Sequence, residues 1–173
     1  MISIWLTPAE KDAKYLQNII NNLAAEYHAP IFSPHCTLYS PTDLGKIELE
    51  RILKDAATGV GPISVTKDKL NHTPIIWKTV FIDLKPSWEL SELSHRIKFA
   101  LQNSNPNPNL NPIPYSFSPH ISLIYKEMPD EQKEKIIRNL SVKNSYKMDK
   151  ITAMKTGHDV KHWEKIAEVQ LNA

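Results

Sequence analysis

One heptapeptide occurs twice in this chain. Phe32-Ser33-Pro34-His35-Cys36-Thr37-Leu38 returns 85 positions later as Phe117-Ser118-Pro119-His120-Ile121-Ser122-Leu123, with five of seven residues identical and Thr37 matched by the hydroxyl of Ser122. A bare His-x-Ser/Thr carries little information, because seven histidines and 22 serines or threonines in 173 residues give about one such match by chance. The extended repeat constrains far more. In an extended segment residues i and i+2 share a face, so His35 with Thr37, and His120 with Ser122, each present an imidazole and a hydroxyl together. Cys36, Leu38, Ile121 and Leu123 then turn to a core. Each proline holds the serine before it extended and cannot donate to a ladder, which suits the start of a strand. Both heptads therefore predict strands with a polar working face, and two of them predict one paired site.

The segments around the heptads repeat as well. Ser3 to Leu6 reads as a short strand, and Pro8 opens a helix whose apolar positions Tyr15, Ile19, Leu23 and Tyr27 recur every four residues and which ends before Pro30. The first motif strand spans 32–39. A second helix starts at Pro41-Thr42-Asp43, carries Leu44, Ile47, Ile52 and Leu53, and closes near Gly59, after which Ile63 and Val65 mark a strand. Ile75 to Leu84 has the composition of a central buried strand. Ser87 caps a helix with the stripe Leu90, Leu93, Ile97 and Leu101. Residues 103–115, rich in Asn and Pro, read as a solvated loop and a candidate flap. The second motif strand at 117–125, a helix from Asp130 to Asn139, and strands near 146–156 and 163–171 complete the chain, with Gly157-His158-Asp159 as the last turn. Both halves thus run strand, long helix, motif strand, helix, strand. The expectation is an α+β fold of one two-lobed domain, 1–173, with pseudo-repeats of about 1–72 and 75–173. Antiparallel sheets would line a central cleft with helices packed outside.

Composition narrows the functional classes. Twenty-one basic against 19 acidic residues leave a formal charge of +2, too small for affinity built on neutralising many phosphates. Cys36 is the only cysteine, which excludes an intrachain disulfide. Met1-Ile2-Ser3-Ile4-Trp5 has neither the basic segment nor the apolar run of a signal peptide, and no stretch suits a membrane span. The expectation is a monomeric cytoplasmic protein.

Two opposed histidines suit one chemistry. With an unperturbed pKa of about 6.5, one imidazole can serve as base while its partner serves as acid. In-line displacement at phosphorus needs both, one to deprotonate the attacking oxygen and one to protonate the leaving oxygen. Thr37 and Ser122 are placed to donate to the non-bridging oxygens as charge builds there. No metal, cofactor or covalent intermediate is called for.

The paired motifs resemble those of the two-histidine phosphoesterase superfamily, which has a bilobed α+β fold. The second motif extended through Ile124-Tyr125, together with Trp5 in the opening strand, is most similar to the cyclic phosphodiesterase branch. That resemblance implies opening of a 2′,3′-cyclic nucleotide or ADP-ribose 1″,2″-cyclic phosphate to a monoester without a metal. It makes His35 and His120 the catalytic pair, Thr37 and Ser122 the phosphate ligands, and Tyr125 a residue lining the site, although strict alternation from His120 points Tyr125 to the other face. Relatives acting on 2′,3′-cyclic ends or 2′,5′ linkages of RNA share the same four polar residues. A non-catalytic nucleotide- or RNA-binding module is the reading from another class.

Other residues have plainer readings. The position of Cys36 opposite His35 makes it a small core residue rather than a nucleophile. His158 and His162 lie at i and i+4, but on a turn and strand rather than a helix, which disfavours a metal pair. His28, His72 and His95 read as surface or helix-end residues. Trp5 and Trp77 are core candidates that could also stack on a nucleobase.

Overall fold

The computed structural model describes residues 1–42, 46–104 and 116–172. Seven strands and four helices follow in the order β1 (Ile2–Pro8), α1 (Glu10–Tyr27), β2 (Cys36–Thr42), α2 (Lys46–Ala57), β3 (Ile63–His72), β4 (Val80–Leu84), α3 (Trp88–Asn103), β5 (His120–Ile124), α4 (Asp130–Asn139), β6 (Ser145–Lys155) and β7 (Glu164–Gln170). Short 3-10 turns occupy Ile76–Lys78 and Val160–His162. All strand pairings are antiparallel, in the order β2-β1-β6-β3-β4-β5, with β7 added to β6. The fold class expected from the sequence is the fold observed, with the two halves joined through β3 and β6 into one hydrogen-bonded path.

That strand order reads the same from either end when the halves are exchanged. The first strand of each half, β1 or β4, lies between its own motif strand and the strand that follows the second helix of the other half, β6 or β3. Helix packing follows the same crossing pattern, α1 lying on β5 and α3 on β2. The buried Ser94 hydroxyl on α3 donates to the Leu38 carbonyl on β2 at 2.9 Å. The motif strands lie at opposite ends of the strand order, yet β2 touches β5. The sheet therefore curls until the ends that carry the histidines meet.

Local sequence explains where the elements begin and end. The Ser87 side chain accepts from the Leu90 amide at 3.2 Å and caps α3, whose buried residues Leu90, Leu93, Ser94, Ile97 and Leu101 contain the expected stripe. In α1 the buried face is Leu16, Ile20, Leu23 and Ala24, one residue around from the expected stripe. Tyr15, Ile19 and Tyr27 flank it, half-buried against the core. Tyr15 stays at the rim because its hydroxyl accepts the Lys143 amide at 3.2 Å. α1 stops at His28, which takes the left-handed conformation (φ 53°) and returns its amide to Ala24 two residues before Pro30.

Three boundaries differ from expectation. The motif strands begin at Cys36 and His120, and the Ser-Pro pairs precede them; a proline has no N–H to donate, although the Pro119 carbonyl still accepts the Leu84 amide at 3.1 Å. β2 runs through Thr42 and α2 starts at Lys46; Asp43, Leu44 and Gly45 lie outside the described residues. The expected 75–84 strand pairs only from Val80, since Thr73 and Thr79 fold the preceding segment into a turn. The Thr73 hydroxyl donates to the Lys78 carbonyl at 2.6 Å, and the Thr79 hydroxyl lies 2.9 Å from the Ile76 carbonyl and 3.0 Å from that of Lys126. Of the expected loop 103–115, residues 105–115 fall outside the described set. Among the described residues no helix is long and apolar enough to cross a membrane.

Candidate active site

Both motif histidines are held in the same way. His35 Nδ1 lies 2.7 Å from the Ser33 carbonyl, and His120 Nδ1 lies 2.7 Å from the Ser118 carbonyl. A carbonyl oxygen can only accept, so Nδ1 carries the hydrogen in each ring and Nε2 is left to exchange a proton with a substrate. The repeated Ser-Pro explains this geometry. Proline restricts the serine before it to extended backbone and fixes its own φ, turning the serine carbonyl back toward the imidazole two residues on.

The two rings sit in unequal surroundings. His35 is 7% exposed and its ring stacks on Trp5 with centroids 3.5 Å apart and planes 7° from parallel. Burial lowers its pKa to about 4; the Ser33 carbonyl opposes that shift and the nearby His120 adds to it. His120 is half-buried, edge-on to Phe81 at 5.4 Å. Its pKa is lowered by burial and by Lys78, with the Ser118 carbonyl and Asp83, its cross-strand partner, acting the other way.

Both imidazoles line one cleft of about 380 Å³. Its walls contain every residue singled out from the sequence: His35, His120, Thr37, Ser122, Tyr125, Trp5 and Trp77. Thr37 reaches it from β2, opposite Trp5 in the β1 ladder. The Ser122 hydroxyl donates to the Trp77 carbonyl at 2.9 Å. Tyr125 is inside the cleft despite the alternation rule. β5 ends at Ile124 after a register shift between the Val80–Ile124 and Phe81–Ser122 pairs. That frees Tyr125 to swing inward, where its ring stacks on Phe32 at 3.7 Å. Burial raises its phenol pKa, with Ser122 acting the other way. Cys36 is fully buried and its thiol is pushed up to about 12, which suits the core reading.

A family model described as cyclic phosphodiesterase-like protein matches residues 1–171. The chain belongs to the cyclic phosphodiesterase-like family. It is therefore a phosphodiesterase of the two-histidine phosphoesterase superfamily. Across 179 aligned residues it is 24% identical to the cyclic phosphodiesterase of Arabidopsis thaliana, covering 98% of this chain and 94% of the relative. The fold is shared with E. coli LigT. The LigT complex with 3′-AMP superimposes with a TM-score of 0.65 at 12% identity, covering 99% of this chain and 98% of LigT. The NADP⁺ complex gives 0.60 at 14%, covering 98% and 96%.

This cyclic phosphodiesterase-like chain adds residues to the cleft that the motifs did not reveal. Trp163, at the foot of β7, meets Trp5 edge-to-face at 5.5 Å and lies 6.0 Å from both Trp77 and Tyr125, its indole N–H donating to the Gly157 carbonyl at 2.9 Å. Farther along β1, Ser3 meets Ser40 at 2.7 Å and Thr156 at 3.5 Å, a row of hydroxyls lining the same cleft. Lys78 is its only lysine or arginine among the described residues. The alternation of β1 could have placed Ser3 beside Trp5; nothing in the sequence ties Trp163 or Lys78 to the motifs. His158 lines the cleft, whereas His162 lies 3.3 Å from Asp159. Among the described residues no group of three or more His, Cys, Asp or Glu is placed to hold a metal ion.

Proposed function

We propose that this enzyme opens a small cyclic phosphate, a 2′,3′-cyclic nucleotide or ADP-ribose 1″,2″-cyclic phosphate, by acid–base catalysis shared between His35 and His120. The observation that carries the reading is the matched pair of imidazoles, each tethered through Nδ1 to the carbonyl two residues earlier and lining one cleft. Water attacks phosphorus as one Nε2 takes its proton. The opposite P–O bond of the ring breaks as the other Nε2 protonates the departing sugar oxygen. One P–O bond forms, one breaks, and the two imidazoles exchange protonation states. Thr37 and Ser122 donate to the non-bridging oxygens, Ser122 by turning its proton away from the Trp77 carbonyl as charge develops. The protein supplies both acid and base, so turnover is expected to persist in excess chelator.

The surroundings of the pair suit a nucleotide. The cleft volume falls in the range of small-ligand sites. Trp77, 36% exposed, offers an aromatic surface for a base, a contact that contributes about 1–3 kcal/mol elsewhere. The Ser3, Ser40 and Thr156 hydroxyls match the polar edge of a ribose. The structurally similar LigT has been crystallised with 3′-AMP and NADP⁺. The near-neutral charge favours such small substrates over long RNA.

A substrate panel with chelator present tests the proposal. Turnover of 2′,3′-cyclic AMP or ADP-ribose cyclic phosphate with weak salt dependence is expected. Activity confined to oligonucleotide ends and falling steeply with salt would replace it with the RNA-directed reading. Ligand binding without turnover of any of these would make the chain a binding module.

A further inference from the structure

We propose that Lys78 is the anion-holding residue of the cleft, seating the substrate phosphate on the His120 side; this rests on the acid–base reading above. The placement of the side chain carries the inference. Lys78 closes the 3-10 turn Ile76–Lys78, directly after the Trp77 carbonyl that accepts the Ser122 hydroxyl. Its ammonium is 4.4 Å above the Phe81 ring, which in turn meets His120 edge-on at 5.4 Å. It also lies 3.3 Å from the hydroxyl of Ser118, whose carbonyl tethers His120. One lysine thus adjoins both ends of the second motif's working face.

Lys14, Lys133, Lys143, Lys150 and Lys165 each have a carboxylate within 3.2 Å. Among the described residues Lys78 has none within 4.0 Å, and it is half-buried. The ammonium contacts a hydroxyl and a ring face at the cleft wall, so an anion entering the cleft would gain charge-assisted N–H donors from it. The cyclic diester is a monoanion and its product monoester a dianion near neutrality, so the lysine would bind both.

The same lysine acts on His120. The charged or titratable groups facing that ring are Lys78, Asp83 across the ladder, and His35 across the cleft. Asp83 is engaged by the Asn71 amide at 2.8 Å. Lys78 disfavours the His120 imidazolium; a phosphate seated between them would relieve that repulsion.

Lys78→Met and Lys78→Arg separate this role from a structural one. Inorganic phosphate binding, followed by calorimetry, should weaken about tenfold in Lys78→Met and recover in Lys78→Arg, with unfolding temperatures unchanged. With 2′,3′-cyclic AMP, Lys78→Met should raise KM by a similar factor, change kcat by less than about threefold, and move the His120 limb of the kcat/KM profile to higher pH. Phosphate binding that is equal in wild type and Lys78→Met would overturn the proposal. The phosphate arm does not depend on turnover: weakened binding in a protein that fails to open the cyclic substrate supports the lysine's role while removing the mechanism it was meant to serve.

Discussion

Lowering the pH from 7 to 5 should destabilise the wild-type fold by about 2 kcal/mol through His35 alone. The imidazole is 7% exposed against the Trp5 face and its folded pKa is about 4. In the unfolded chain it returns to about 6.5. The folded value is the depressed one, so the unfolded state takes up the proton first as the pH falls. The stability lent by a neutral His35 is present above pH 6.5 and is lost progressively down to about 4. The gap of about 2.5 units corresponds to about 3 kcal/mol in full, of which about 2 falls between pH 7 and 5. His35→Asn removes the titration while its amide can still donate to the Ser33 carbonyl. Urea unfolding of wild type and variant at both pH values, followed by tryptophan fluorescence, isolates the contribution, because acidic shifts from other groups, His120 included, occur in both proteins. A pH-dependent loss in wild type exceeding that in His35→Asn by about 2 kcal/mol is expected. Equal losses would show that His35 ionises freely in the fold, and the argument from its burial would fail.

The remaining predictions concern catalysis and packing. The kcat/KM profile should be bell-shaped with its maximum on the acid side of neutrality, because burial lowers the pKa of both imidazoles and only the singly protonated pair is competent; a monotonic profile through that range would count against the pairing. Thr37→Val and Ser122→Ala should each lower kcat by about 10²-fold if they donate to the transition state, measured under saturating substrate. Ser94→Ala, which removes the bond from α3 to the Leu38 carbonyl, should cost about 1 kcal/mol in urea unfolding while leaving kcat in place.

The repeated heptads made much of this molecule legible, because one physical pattern served fold and chemistry together. Alternation placed the imidazoles and hydroxyls on one face, and the Ser-Pro pair marked the strand starts to within a few residues. The Ser87 cap and the Leu90-to-Leu101 stripe located α3 because its first turn and buried face are fixed locally. Errors arose where longer-range contacts override local pattern. Ile75, Ile76 and Trp77 look like buried strand residues, yet hydroxyls of Thr73 and Thr79 fold them into an exposed turn. Tyr125 enters the cleft only because β5 slips in register and ends one residue earlier. Trp163 and Lys78 come from segments far in sequence from both motifs, and the pairing of β4 with β5 and of β7 with β6 beside β1 brings them to the cleft.

The most direct test of the two-histidine account is ³¹P NMR of 2′,3′-cyclic AMP hydrolysis in excess chelator by wild type, His35→Ala and His120→Ala, side by side. Wild type should convert the cyclic phosphate to a single monoester isomer, and each variant should be slower by about 10²–10⁴-fold. Wild-type rates in either variant, or a mixture of both monoesters from the wild type, would contradict a reaction governed by one oriented pair of imidazoles.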